Sequence, residues 1–185
     1  MARDFKVRPT VNGTGVTLAG SVRLPIDLRN PRVTTLAGNS FFTVTGLTAG
    51  DFGYWQFVKD VEGRLYGVVA IPKNVAGTPS AKVVLVTSAN ATTGVTRLQV
   101  STKAIADGES LNPASLTAET AQDITVPSTA RLRKDVTFPS TGSLTEMVAA
   151  DELLLVEIAH LGAHVNDSLS VNTELWAAFL QVDVL

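Results

Sequence analysis

A series of short runs rich in valine and threonine constrains this chain more than any other feature. The 185 residues include 24 Val and 22 Thr, and 14 Gly and 8 Pro are scattered between the runs. β-Branched side chains have one strongly favoured rotamer and pack well on a pleated surface, so they favour strands over helices. Many short strands punctuated by turn residues predict an all-β domain.

Nine segments from Phe41 onward are predicted to be strands, because each is alternating or continuously apolar, and three of them are closed by a proline. The segments are FFTVT, YWQFV, RLYGVVAI, AKVVLVTS, VTRLQVSTK, QDITV, LRKDVTF, LLLVEIAH and LWAAFLQVDV. AKVVLVTS is apolar enough for burial on both faces of its sheet. Eight or nine strands joined by some long connections predict a jelly roll or β-sandwich of about eight strands.

The segment SLTEMVAADELLLVEIAHLG also carries a helix signal. Ser143 followed by Glu146 has the spacing of a capping box, in which each side chain caps a backbone N–H of the first helical turn. The alternation in Leu153 to His160 instead suits a buried strand. We therefore predict a short helical turn over 143–150 and a strand over 153–160.

The first forty residues differ from the rest. Pro9, Pro25 and Pro31 each remove a backbone donor, which limits this part to an extended arm or to edge strands. Its apolar residues require burial, either on a partner protein or as edge strands of the chain's own sheets. The predicted organisation is an N-terminal arm or small β subdomain over 1–40 and a jelly-roll domain over 41–185.

The two histidines, His160 and His164, are spaced HxxxH near the end of the chain. On a helix this spacing places both rings on one face, where they can bind zinc. Gly162 between them disfavours a continuous helix, and Leu161 occupies the place of the glutamate in the zinc-protease pattern. We therefore predict two strands joined by a turn, with structural histidines and no metal.

Four acids in the same region could in principle supply a general acid and base: Asp151, Glu152, Glu157 and Asp167. In a strand, Glu157 would face away from Val156 and Ile158, toward solvent or an arginine at a subunit contact. The chain has no cysteine, no serine nucleophile elbow and no phosphate-binding glycine motif. We predict a protein that is not an enzyme and uses no cofactor.

The charge balance limits the partners. A net charge of −2 gives no electrostatic signature for nucleic acid. No apolar run approaches the ~20 residues of a membrane span, and MARDFKVRPT lacks the apolar core of a signal peptide. The absence of cysteine fits a protein made in a reducing cytoplasm, where assembly is expected. Only 17% of residues are charged, which suits a subunit covered by partners or a tightly folded β-domain.

The aromatic residues are spaced as in strands, which favours core or sheet-face packing over a sugar-binding platform. Trp55 and Trp176 are the two tryptophans of the chain. Their exposure to solvent discriminates between these two interpretations.

Several segments together resemble a jelly-roll domain that recurs in virion proteins of tailed bacteriophages. These are the early strand aromatic Trp55, the segment TAQDITVPST, and the terminal pair ADELLLVEIAH and NDSLSVNTELWAAFLQVDV. The opening KVRPTVNGTGVTLAG is similar to openings of phage structural proteins. The resemblance covers residues 50–185, and the two histidines of the last turn are not part of it.

The resemblance implies a capsid decoration, or cement, protein on the virion surface. Such a protein is a homotrimer that clamps neighbouring major capsid proteins against the pressure of packaged DNA, with its arm adding strands to the capsid. The expected alternative is a tail-associated or head-fibre protein that binds a host surface receptor or glycan. The expected capsid-binding residues of the arm are Phe5, Lys6, Val7, Arg8, Val11, Val22, Leu24 and Ile26.

Overall fold

A computed structural model describes residues 10–11, 16–17, 20–29, 39–44, 52–75 and 79–184. Every regular element in these ranges is a strand. The strands are β1 (Thr10–Val11), β2 (Val16–Thr17), β3 (Gly20–Pro25), β4 (Asp27–Arg29), β5 (Asn39–Val44), β6 (Phe52–Phe57), β7 (Glu62–Ala70), β8 (Ala81–Ala89), β9 (Val95–Ile105), β10 (Thr117–Ala118), β11 (Gln122–Thr125), β12 (Lys134–Phe138), β13 (Leu153–Leu161) and β14 (Thr173–Val184). None of the described segments is a helix that could cross a membrane.

Two six-stranded antiparallel sheets form the domain. The first sheet has the order β10-β9-β13-β7-β4, with β11 also on β9. The second sheet has the order β12-β8-β14-β6-β5, with β3 also on β14. From β6 to β9, and again from β12 to β14, each strand lies in the opposite sheet from the one before it. The chain therefore alternates between the two sheets, and the predicted jelly-roll sandwich is confirmed.

The core lies between the sheets and is formed by alternate residues of each strand. β8 shows the strongest burial, since Val83, Val84 and Leu85 are at most 1% exposed. It lies between β12 and β14, and its burial on both faces is as predicted from its apolar sequence. The largest fully buried side chains are Phe57, Phe138, Leu65, Leu85, Leu98, Leu154, Ile158, Leu175 and Leu180.

The predicted helical turn over 143–150 is wrong, because this segment has no helix. The Ser143 hydroxyl accepts a hydrogen bond from the Ala81 N–H at 2.9 Å and does not cap a helix. Glu146 reaches Lys103 at 2.9 Å, the Ala104 N–H at 3.1 Å and the Thr117 hydroxyl at 2.9 Å. The two capping residues thus bind neighbouring strands, and these tertiary contacts override the local preference.

Residues 20–29 supply one strand to each sheet. β3 pairs with β14 over six residues, and β4 pairs with β7 over three. Between them, the Ile26 N–H donates to the Ala178 carbonyl at 2.9 Å, and the Ile26 side chain is 6% exposed. This part of the predicted arm therefore follows the second alternative, in which it extends the chain's own sheets.

Candidate functional site

The two histidines have different surroundings. His160, at the end of β13, is 1% exposed, whereas His164 in the next loop is exposed. The Nε2 atom of His160 lies 3.0 Å from Asp167 Oδ2, and its Nδ1 atom lies 3.2 Å from the Val61 carbonyl oxygen. Within the described ranges, no three His, Cys, Asp or Glu side chains are grouped to hold a metal ion.

Asp167 connects this histidine to β9. Its Oδ2 atom accepts the Arg97 N–H at 2.8 Å. Burial lowers the pKa of His160, against the opposing effect of the Asp167 carboxylate. The pair holds the β13–β14 loop on the sheet, and its contacts are those of a structural site.

The remaining acids make separate contacts and do not form an acid/base pair. Asp151 lies 3.2 Å from Lys73 Nζ, and Glu152 accepts the Ala149 N–H at 2.7 Å. Glu157 faces away from the core as predicted, yet it is only 8% exposed. It pairs at 3.2 Å with Arg64 of the neighbouring strand β7, so its arginine partner lies within the same chain.

The expected capsid-binding residues of the arm fall into two groups. Phe5, Lys6, Val7 and Arg8 lie outside the described residues. Val11 pairs with Val16 in the short β1–β2 pair. Val22 and Leu24 are half-buried in β3 and pack on the core that contains Ile26. Capsid binding by the arm stays a prediction.

The two tryptophans differ in their exposure to solvent, which decides whether a ligand can reach them. Trp55 on β6 packs partly buried against the core. Trp176 is 36% exposed and lies at a register shift in β14, between Leu175 and Ala177. Such a bulge adds one residue to the strand and re-aims a side chain. Here it leaves Leu175 and Ala178 in the core on either side of an outward tryptophan.

A chain of polar contacts fixes the Trp176 indole. Its Nε1–H donates to the Ser88 hydroxyl at 2.8 Å. The same hydroxyl donates to the carboxylate of Glu174, which is only 1% exposed. Arg131 Nε lies 3.5 Å from the other oxygen of that carboxylate. Because each member is held by the next, the orientation of the indole is set before any ligand arrives.

The Tyr54 ring packs against the indole of Trp176 in a tilted arrangement. The ring centroids are 4.7 Å apart with an angle of 31° between the planes, and Tyr54 itself is buried. Gln56 is paired with Glu174 across β6 and β14, which places both side chains on one face of the second sheet. We call this surface the Trp176 face: Tyr54, Gln56, Ser88, Arg131, Glu174 and Trp176.

Arg23 connects three strands on the outer surface of the second sheet. It is part of β3 and lies 3.1 Å from Gln181 on β14 and 3.9 Å from Asp135 on β12. Two strands, β14 and β8, separate β3 from β12.

Sequence reasoning missed most of this site. It singled out Trp176 as a residue whose exposure would be informative, but not Ser88, Glu174 or Arg131. Glu174 stands beside Leu175 at a strand start, where an acid is ordinarily solvent-exposed. One sequence signal could have pointed to this site. The second aromatic residue of β14 breaks the alternation of apolar and polar residues in that strand, and such a break implies a bulge.

Comparisons with known proteins add no family. No family model matches the chain, and no curated protein matches it. Among solved structures, a family 11 carbohydrate-binding module from Clostridium thermocellum, in complex with a β-1,3-1,4-mixed-linked tetrasaccharide, has a TM-score of 0.39 at 15% identity over 93% of each chain. The module TmCBM61 with β-1,4-galactotriose has a TM-score of 0.36 at 12% identity, over 78% of this chain and 88% of its own.

A family 35 carbohydrate-binding module from Clostridium thermocellum has a TM-score of 0.36 at 13% identity, over 88% of this chain and 97% of its own. The fold of this chain is assigned from its own two sheets.

Proposed function

We propose that this domain binds a carbohydrate chain through the Trp176 face. The observation that carries the proposal is a partly exposed indole, 36% accessible, whose orientation is fixed by the buried Ser88 and Glu174. Fixed aromatic platforms favour binding because little conformational freedom is lost when the ligand arrives.

The chemistry of the face suits a sugar. The C–H bonds on one face of a pyranose carry small positive charges and stack on the electron-rich face of an aromatic ring. The ring hydroxyls at its edge need hydrogen-bond partners. The Trp176 face offers Gln56, paired with Glu174 across the strands, and Arg131, whose Nε lies 3.5 Å from the Glu174 carboxylate, with both donor and acceptor groups between them. An apolar surface with a few oriented polar groups is the usual composition of a small-ligand site.

Glycan recognition was the expected alternative to a capsid decoration role. The virion location, the homotrimer and the major capsid protein as partner stay predictions, and so does the absence of enzyme activity. Carbohydrate binding is compatible with a virion protein that attaches to a host surface. Carbohydrate binding differs from capsid clamping, because the ligand is a glycan and the binding site lies within one chain.

The proposal is tested with the Trp176→Ala variant in affinity electrophoresis against a panel of soluble polysaccharides, followed by titration calorimetry for those that retard the protein. We expect at least one polysaccharide to bind the native protein and its affinity to fall about tenfold or more in the variant. The matched control is Val165→Ala, which truncates a side chain that is 89% exposed in the β13–β14 loop.

Fluorescence gives a second readout from the same ring. In a Trp55→Phe background Trp176 is the only tryptophan, so a bound sugar should shift its emission. If no member of the panel binds or shifts this emission, or if Trp176→Ala binds as the native protein does, the proposal is wrong. Unfolding curves of each variant establish that the fold is intact.

A further inference from the structure

We infer that Arg131 makes the Trp176 face selective for acidic glycans, in which a sugar carries a carboxylate or sulfate group. The inference rests on the proposed carbohydrate binding and names its ligand class. Arg131 is linked to the indole through Glu174 and Ser88, so its guanidinium belongs to the same polar cluster as the ring on which a sugar would stack.

The backbone conformation at Arg131 is unusual. Arg131 has a φ of 58°, a left-handed conformation that is uncommon for a residue with a side chain. Its N–H donates to the Ala89 carbonyl at 2.7 Å, which fixes the segment at the end of β8. Strained backbone of this kind persists where the surrounding structure enforces it, and it is concentrated at functional sites.

The guanidinium of Arg131 retains donors for a ligand. Its side chain is 60% exposed, and its contact with Glu174 is made through Nε at 3.5 Å. Within the described residues, no other ion pair of Arg131 is present, so its two terminal nitrogens have no carboxylate partner there. A planar guanidinium donates two parallel hydrogen bonds to a carboxylate or sulfate, which a neutral hydroxyl cannot accept in the same way.

The surrounding charge favours an anion as well. The buried Glu174 carboxylate is paired with Arg131, so these two opposite charges largely offset each other. Arg23 and Arg133 share one acid, Asp135, on the same outer surface of the sheet. This surface is therefore locally cationic, although the whole chain has a net charge of −2.

A purely structural role for Arg131 is the competing explanation, in which it only neutralises the buried Glu174. The two roles differ in what Arg131→Ala does to ligand preference. A neutralising residue would affect stability and weaken every glycan alike. Loss of a selecting residue would weaken the binding of acidic glycans more than that of neutral ones.

The experiment compares charged polymers with their neutralised counterparts by titration calorimetry. The probes are polygalacturonate and hyaluronan, each beside its carboxyl-reduced form, and dextran sulfate beside dextran. We expect the native protein to bind at least one acidic polymer about tenfold more tightly than its neutral counterpart. Arg131→Ala should reduce this ratio to near one, because it weakens the acidic polymer more than the neutral one, and Arg131→Lys should restore part of it. Whether the carboxylate or the sulfate pair shows the larger ratio identifies the anion.

Arg133→Ala is the matched control, because Arg133 is equally exposed but both its bonds go to Asp135, at 2.6 and 2.7 Å. If Arg131→Ala is unstable, Arg131→Gln provides the second variant, because it keeps a long polar side chain without the charge, and it should also lose the acidic preference. Equal native affinity for charged and neutral forms, both lost in Trp176→Ala, would overturn the inference and leave the carbohydrate proposal standing. Binding that does not depend on Trp176 would instead contradict the carbohydrate proposal itself.

Discussion

At the scale of single residues, His160 links the stability of the fold to pH. The buried ring faces the Asp167 carboxylate on one side and the Val61 carbonyl on the other, and a neutral imidazole can donate to only one of them. Burial has the largest effect on the pKa of His160 and lowers it, while Asp167, Val61 and the more distant Asp60 raise it. The folded protein therefore holds the ring neutral at a pH where the unfolded chain takes up a proton.

The sign of the pH dependence follows from that difference. The contribution of His160 to stability is complete above its ordinary pKa of 6.5 and is lost as the pH falls through the lower, folded-state value. We expect denaturant unfolding between about pH 7.5 and about pH 5 to show a smaller loss of stability for His160→Gln than for the native protein. The exposed His164→Gln is the control and should keep the native slope; equal slopes for both variants would contradict the assignment.

At the scale of strands, the segment that crosses from β3 to β4 is a structural part of the sandwich. Ile26 is 6% exposed and belongs to the main core cluster. Truncating a buried isoleucine removes apolar burial and leaves a cavity, so Ile26→Ala should lower the free energy of unfolding by about 2–4 kcal/mol. Urea unfolding measures this, with the exposed Val165→Ala as the control expected to change it by less than about 0.5 kcal/mol. If Ile26→Ala is as stable as the native protein, this segment is not a structural part of the sandwich, and the prediction of an arm that binds a partner is favoured instead.

The strands also show which parts of the fold are readable from sequence. All nine strands predicted from Phe41 onward are present, because each has the alternating or continuously apolar pattern of a strand. The helical turn at Ser143 was wrong since a capping pattern is a local signal, and Glu146 binds β9 and β10 instead.

The site itself was only partly predictable, for a related reason. The bulge at Trp176 depends on the register of β14 against β8, and the partners Ser88 and Arg131 lie 88 and 45 positions upstream. Contacts of this kind are set when the sheets assemble. Such contacts cannot be predicted from the alternation of apolar and polar residues within one strand.

At the scale of the whole molecule, the remaining prediction concerns assembly. The resemblance to phage virion proteins implies a homotrimer, and only 17% of the residues are charged. Several large apolar side chains of the described residues are exposed, including Met147 at 86% and Val165 at 89%. If the trimer forms, light scattering should give three times the 19.5 kDa mass of one chain, independent of concentration over the measured range.

A trimer would also change how the Trp176 face works. Three sites on one particle raise the apparent affinity for a polymeric glycan far above that of one site, provided that the chain can reach two sites at once. Under that arrangement, titration with a short oligosaccharide reports the weak single-site affinity, and the intact polysaccharide reports a much stronger one. A monomeric mass would show the trimer prediction to be wrong and remove this enhancement. It would leave the carbohydrate proposal intact, because every residue of the Trp176 face belongs to one chain.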